Sequence, residues 1–312
     1  MTSRTLSRPT QYRHVTFAED IEPTGQALNL SPVDRVTSRV PARSGLVDDL
    51  QLTAEEEVFV NWLMRLNGLS PSDYKPGTMA RRMHACLRAL RVGSVAQARR
   101  AIERTPELSG VATNALVIGV TSFFRDPSVF DHLQRTVLPS LLDDLRPHGP
   151  PLRVWSVGCS DGPELYSVGM VLGELNALFR STLLGTDCRE TSIRHARKGV
   201  YSASEIRSLP HALRQKYFVP DGPSWRVLDV LKQNIHFRVG NVLQQCEVGP
   251  FDLIFCRNMA IYLEPDAAGR LWMKLQDSLR PGGFLVLGKA ETPLGAGKLA
   301  QVSSGIYRRS RG

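Results

Sequence analysis

The chain has 312 residues, 42% hydrophobic and 22% charged, enough for one large domain or two ordinary ones with a packed core. No apolar run is long enough to cross a bilayer and the opening M-T-S-R-T-L-S-R-P-T holds no apolar secretion segment, so membrane insertion is not expected and a cytoplasmic location is. Five scattered cysteines make no C-x-x-C pair, which argues against a zinc site or a disulfide framework, so no metal is expected, and the net charge of +9 fits a polyanionic or acidic partner.

Residues 1–48 carry scattered Pro, Ser, Thr and Arg without a period and read as a flexible tail. A helix is expected after Thr53, an N-cap with Glu56 three residues on, and Val58, Phe59, Trp62, Leu63 and Leu66 form its apolar face. The next runs from Pro76 to Arg91. Met83, Leu87 and Leu90 share one face, and Arg81, His84, Arg88 and Arg91 share another. That second face reads either as a solvated basic face or as a docking strip for an acidic helix. Helices over 95–104 and 108–118 complete a small all-α region, with a domain expected over 49–145. Val120 to Pro127 breaks the pattern. Phe123 and Phe124 beside Arg125 and Asp126 suit either the lining of a site or core plugs at a helix junction. A helix over 128–145 leads to the linker Arg146-Pro147-His148-Gly149-Pro150-Pro151.

From residue 146 to 312 strands alternate with helices. Val154 to Val157 is a buried strand, followed by the glycine turn Gly158 to Gly162 and a helix from about Glu164 to Leu178. Leu183 to Asp187 is a second strand. Asp187 stands where a carboxylate grips both hydroxyls of a ribose, or it caps the helix over 189–198. The polar stretch after Gly199 holds at most a short hairpin, a small β-subdomain near 201–238. A strand over 234–239 leads to Asn241 and Val242. A buried strand, Phe251 to Cys256, leads to Arg257-Asn258 and Tyr262. A helix over 265–279 ends at Arg280-Pro281-Gly282-Gly283, and strands over 284–288 and 304–308 follow. Such alternation implies an α/β fold with a mostly parallel sheet covered on both faces, whose ligands bind at the carboxyl ends of the strands. Gly158, Asp187, Asn241 and Arg257-Asn258 all fall at such ends. The glycine turn does not make G-x-G-x-x-G, which disfavours a nicotinamide enzyme.

These residues resemble the chemotaxis receptor methyltransferases, the CheR family, from about Leu52 to the end. D-Y-K-P-G-T-M-A-R-R-M, T-S-F-F-R-D, R-V-W-S-V-G-C-S-D-G-P-E-L-Y-S, A-R-K-G-V-Y-S, F-D-L-I-F-C-R-N-M-A-I-Y-L and L-R-P-G-G-F-L-V-L-G-K-A-E carry the likeness, in the family's order. It implies a Rossmann-like methyltransferase domain dependent on S-adenosylmethionine, preceded by a small all-α domain, with the tail read above as disordered ahead of both. The implied reaction is methyl transfer to glutamate side chains on the cytoplasmic helices of a methyl-accepting chemotaxis protein, in adaptation of chemosensory signalling, with S-adenosylhomocysteine as product. By the same resemblance Thr121 and Arg125 contact the methionine end, Glu164 holds the ligand by the glycine turn, and Asp187 takes the ribose. Asn241 and Val242 flank the adenine, Arg257 and Asn258 close the site, and Tyr262 lies beside the methyl path. Arg125 and Tyr262 are the catalytic candidates, and Arg81, Arg88 and Arg91 the receptor-docking ones. A monomer is expected. No nucleic-acid substrate is, since Arg257-Asn258-Met259-Ala260 stands where an N-P-P-Y type element would be.

The chain departs from the family at several places. Gly119 replaces an asparagine whose amide could contact the methionine end. G-E-E-P becomes Gly162-Pro163-Glu164-Leu165, Asp161 replaces a small hydroxyl residue, and N-V becomes Asn258-Met259. These changes support an alternative, a regulatory protein of the same fold that binds S-adenosylmethionine or S-adenosylhomocysteine with weak or no transfer. The segment after Tyr201 is short for gripping a receptor tail.

Overall fold

The computed structural model describes residues 51–117 and 119–311, so the tail expected over 1–48 lies outside the described residues. Helix α1 (Ala54–Leu66) opens with the reciprocal cap that the Thr53–Glu56 spacing requires, each side chain bonding the other's backbone N–H. Helix α2 (Pro76–Leu90) starts with proline at its first position, where no N–H is needed, and stops at Arg91 in the left-handed conformation. Helices α3 (Val95–Arg104) and α4 (Leu108–Leu116) complete this group.

The helix expected over 128–145 forms as α5 (Pro127–His132) and α6 (Leu138–Asp143), joined by a π-helical turn over Leu133–Val137. Pro139 explains the turn: within a helix it lacks an N–H and its ring collides with the carbonyl four residues back, and a widened turn relieves both.

The rest alternates as expected. In chain order it runs β1 (Leu152–Val157), α7 (Pro163–Glu174), β2 (Ser181–Asp187), α8 (Glu190–Lys198), β3 (Val200–Ser202), α9 (His211–Tyr217), β4 (Phe218–Asp221), β5 (Ser224–Val227) and α10 (Asp229–Lys232). Then come β6 (Ile235–Val239), β7 (Phe251–Cys256), α11 (Pro265–Ser278), β8 (Leu279–Leu287), β9 (Leu299–Ser303) and β10 (Ile306–Arg309). Seven strands form one sheet in the order β6-β2-β1-β7-β8-β10-β9. The first five are parallel, and β10 and β9 add an antiparallel edge.

Three expectations change. Residues 200–227 hold not a hairpin but a separate three-stranded sheet, β3-β5-β4, and β6 belongs to the main sheet, so the small subdomain ends before 238. Strand β9 has no counterpart in the expected elements: its burial runs intermediate, exposed, exposed, exposed, intermediate, so it lacks the apolar alternation that marks a half-buried strand. Arg280 to Gly283, expected to end the helix ahead of a strand at 284, lies inside β8, whose pairing with β7 shifts register between Phe251 and Leu253.

Two apolar layers cover the main sheet, and the central strands feed both in alternation. Leu253 and Phe255 join one cluster while Ile254 and Cys256 join the other, and Phe284 and Val286 alternate likewise with Leu285 and Leu287. The first cluster takes in α5 through α10 and the small sheet. The second takes in α1 through α4 and α11. Residues 127–143 thus share their core with the sheet, and the change of packing partner falls in the loop after α4.

Because Leu63 of α1 is fully buried in a cluster shared with Trp155, Ile254 and Leu285, Leu63→Ala should destabilise the whole chain. The expected loss is about 2–5 kcal/mol. Calorimetry should show one transition moved down. A separate early transition for the helical part would show that the cluster does not couple it to the sheet.

Candidate active site

At the carboxyl ends of β1 and β7 the chain must turn sharply, and the backbone does so in the left-handed region. Gly158 (φ +64°) leaves β1, Ser160 follows at φ +52°, and Gly162 (φ +95°) precedes Pro163 at the first position of α7. Proline is well suited to that position, so the loss of the first glutamate of G-E-E-P leaves helix initiation intact. The Cys159 N–H donates to the Thr186 carbonyl (3.0 Å) and the Ser160 N–H to Asp187 Oδ2 (2.9 Å), which clips this turn onto the end of β2. A Cβ on Gly158 would meet Met259 Sδ at 3.2 Å, so the turn and the loop after β7 are in close contact.

That second loop carries Asn258 at φ +57° and is clamped from below by Glu291. The Glu291 carboxylate accepts from the backbone N–H groups of Asn258 (2.7 Å), Met259 (2.9 Å), Ala260 (2.8 Å) and Gly288 (2.8 Å). Each of these N–H groups would otherwise need another partner.

The loop before α5 is held in a less comfortable shape. Phe124 (φ +49°) and Asp126 (φ +59°) are both left-handed, which for a bulky aromatic is an outlier of the kind found at functional sites. The Phe124 N–H donates to Ser167 Oγ (3.0 Å). Arg257, with a side chain only 2% exposed, donates to the Arg125 carbonyl (2.9 Å), Asp126 Oδ2 (2.5 Å) and Glu164 Oε2 (3.2 Å). Glu164 Oε1 accepts from Ser156 Oγ (2.8 Å). One buried guanidinium thus ties three loops together through two carboxylates.

The helical group closes the cleft from the other side. Tyr74 bridges Leu263, the Lys75 N–H donates to the Tyr262 carbonyl (3.0 Å), and the Glu264 N–H donates to the Asp73 carbonyl (2.9 Å). Asn241 Nδ2 (3.2 Å) and Gln244 Nε2 (2.7 Å) donate to the Gly68 carbonyl after α1.

All eleven residues expected at the cofactor and methyl path line this single cleft: Gly119, Thr121, Arg125, Gly158, Glu164, Asp187, Asn241, Val242, Arg257, Asn258 and Tyr262. It holds about 1010 Å³ of empty space counted out to its open mouth. Arg81, Arg88 and Arg91 lie outside it, exposed on α2. Phe123 and Phe124 do not line it either. They are buried core plugs, with Phe123 packed edge-on against Tyr201 and Phe218.

The cleft also has a wall that strand-end reasoning missed. Tyr74 stands just before α2 and Thr78 and Met79 in its first turn, and Thr186, Cys188 and Arg189 lie at the end of β2. Asp187 does not cap α8. Its Oδ1 accepts from the backbone N–H (2.9 Å) and Nε (3.0 Å) of Arg189, and its Oδ2 from Arg189 Nη2 (3.1 Å). Burial works against the Arg189 charge, yet the neighbouring Asp187 more than offsets it, and the guanidinium's pKa rises. Burial also raises the Tyr74 hydroxyl, with the Cys188 thiol next in importance. Burial, then Asp187, pushes the Cys188 thiol up to about 12. Cys159 is raised by burial as well, so neither cleft cysteine supplies a thiolate nucleophile at neutral pH.

Residues 119–305, more than half the chain, match the family described as CheR methyltransferase, SAM binding domain. The chain belongs to the CheR methyltransferase family. It is 30% identical over 233 residues to a chemotaxis protein methyltransferase of Listeria monocytogenes, covering 75% of this chain and 88% of that one. It is 28% identical to the chemotaxis protein methyltransferase Cher2 of Pseudomonas putida, covering 82% and 97%. It is 32% identical to chemotaxis protein methyltransferase 2 of Pseudomonas aeruginosa, covering 78% and 89%. As a CheR methyltransferase it uses S-adenosylmethionine. The cleft fits that cofactor: the glycine turn leaves its floor without side chains at Gly158, the carboxylates of Glu164 and Asp187 line it, and the buried Oδ1 of its lining residue Asn258 has no hydrogen-bond partner among the described residues.

Two outcomes follow from this geometry. Glu291→Gln places an amide against four N–H donors and should weaken S-adenosylhomocysteine binding about tenfold, as four bonds to a charged acceptor are lost or weakened. Titration calorimetry reads this, and unchanged affinity would mean that the clamp does not shape the cleft. Alkylation of Cys188 by iodoacetamide should rise about tenfold per pH unit from pH 8 to 10 without a plateau, because the thiolate fraction grows until the pKa is passed. Peptide mass mapping checks this, and a plateau near pH 9 would contradict it.

Proposed function

We propose that this CheR methyltransferase moves the methyl group of S-adenosylmethionine onto glutamate side chains of chemoreceptor helices, in adaptation of chemosensory signalling. The names of the curated relatives, chemotaxis protein methyltransferases, support the pathway. One observation carries the substrate reading: α2 lines the cleft with Thr78 and Met79 while Arg81, His84, Arg88 and Arg91 stand exposed on its outer side. None of those three arginines forms an ion pair with a described carboxylate. A basic strip beside a cleft suits an acidic helix that delivers a side chain into it.

The chemistry asks little of the enzyme's acid–base groups. A glutamate carboxylate, with a pKa of about 4.3, is already ionised at neutral pH, so no general base is needed. The cofactor supplies an activated methyl on sulfonium sulfur. One acceptor oxygen forms the new C–O bond as the C–S bond breaks and its electron pair stays with sulfur. What remains for the protein is alignment, which is worth several kcal/mol. In this reading Arg125 positions a carboxylate, either the acceptor's or the cofactor's. Tyr262 flanks the methyl path, Asp187 takes the ribose hydroxyls, and Asn241 and Val242 flank the adenine. Thr121 contacts the methionine end, Glu164 holds the ligand by the glycine turn, and Arg257 and Asn258 close the site.

A second reading, a regulator that binds the cofactor with little transfer, draws on the engagement of Asp187 by Arg189. Tritiated S-adenosylmethionine with receptor-bearing membranes separates the two. Transfer should yield a base-labile ester that releases methanol, and binding without labelling would favour the regulator. The double variant Arg81→Glu with Arg88→Glu should raise the receptor KM about tenfold and leave S-adenosylhomocysteine affinity unchanged. A loss confined to cofactor binding would remove the docking role.

A further inference from the structure

The four hydrogen bonds on Asp187 saturate its carboxylate. An ionised aspartate offers about four lone-pair sites, two on each oxygen. Here one site on each oxygen is taken by a backbone N–H, from Arg189 on Oδ1 and from Ser160 on Oδ2 (both 2.9 Å). The other two are taken by the Arg189 side chain, Nε on Oδ1 (3.0 Å) and Nη2 on Oδ2 (3.1 Å). A vicinal diol needs one acceptor position on each oxygen, the same two that the guanidinium holds.

We propose that Arg189 is an internal competitor for the cofactor's ribose, one that must release Asp187 before the diol can bind. The space around it supports this. The guanidinium lies against Gly119, and any Cβ there would overlap it, so residues 119 and 189 cannot both carry a side chain into this slot. The pair is 7% and 6% exposed at its side chains, so little water screens it. Asp161, on the glycine turn, is a further carboxylate whose charge favours the Arg189 guanidinium. Arg189 is thus an affinity-setting residue of the cleft. The fraction of molecules with Asp187 uncovered multiplies into the apparent cofactor affinity.

This inference rests on the reading of Asp187 as the ribose acceptor, and the test separates the two. S-adenosylhomocysteine and 5′-methylthioadenosine, which keeps the ribose but lacks the amino-acid end, are titrated into the full chain and into Arg189→Met, Gly119→Ala, the double variant and Asp187→Asn. Arg189→Met should bind both ligands on the order of tenfold to a hundredfold tighter, the factor expected if 1–10% of molecules have Asp187 uncovered. Its unliganded form should melt lower, because a buried carboxylate has lost its counter-charge, and its ligand-induced melting shift should be larger. Gly119→Ala evicts the guanidinium sterically, so it should tighten binding too and add little once Arg189 is gone. Weaker or unchanged binding in Arg189→Met, a gain confined to S-adenosylhomocysteine, or additive effects of the two substitutions would overturn the proposal. If Asp187→Asn leaves affinity intact, the ribose assignment itself fails. If that variant loses binding while Arg189→Met does not gain, only the competitor is disproved.

Discussion

Alternation along the central strands is the constraint on which the rest of the molecule depends. Strands β1, β7 and β8 are apolar almost throughout, and each sends successive side chains into opposite cores. Neither core can be given up without exposing half of every strand, so both faces must be roofed. Helices α1 through α4 with α11 roof one face, and α5 through α10 roof the other. What the two roofs leave open is the rim where the strands end, and the cleft lies there.

A rim made of loop ends has many backbone donors and few backbone acceptors near them. Side-chain acceptors satisfy much of that demand: Glu291 for the loop after β7, Asp187 for the turn after β1, Ser167 for the strained loop before α5. The left-handed residues Phe124, Asp126, Ser160 and Asn258 sit within these supported segments. Such conformations cost of order 1–3 kcal/mol each and persist where the surroundings over-determine them. The buried ionic cluster of Arg257, Asp126 and Glu164 belongs to the same scheme, fixing loop positions more than adding stability.

Much of this was legible in the order of residues. Apolar runs ending in glycine, acid or Arg-Asn mark parallel strands and their rims, and residues chosen from those ends converge on one cleft. The capping spacing of Thr53 and Glu56 placed the first helix. The unread parts have physical reasons. Strand β9 is polar and exposed, the three short strands over 200–227 bury too few side chains to show a period, and the π-turn depends on Pro139 within an otherwise helical pattern. Phe123 and Phe124 looked equally apt for a site or a core, and packing against Tyr201 and Phe218 decided it. The start of α2 reaches the cleft only through tertiary folding, which no local spacing reveals, whereas Arg189 stands two residues beyond Asp187 at the same strand end.

Helix α2 touches two worlds at once. Its first turn, with Thr78 and Met79, is part of the cleft wall, and its polar side, with Arg81 and Arg88, faces solvent one turn and three turns further along. A helix is stiff over that length, so a body leaning on its outer side tilts the inner one. Any coupling carried that way would have equal strength in both directions, as thermodynamic reciprocity demands. The Arg81 guanidinium, whose Nη2 donates to Thr78 Oγ1 (3.4 Å), joins the exposed side directly to the cleft wall.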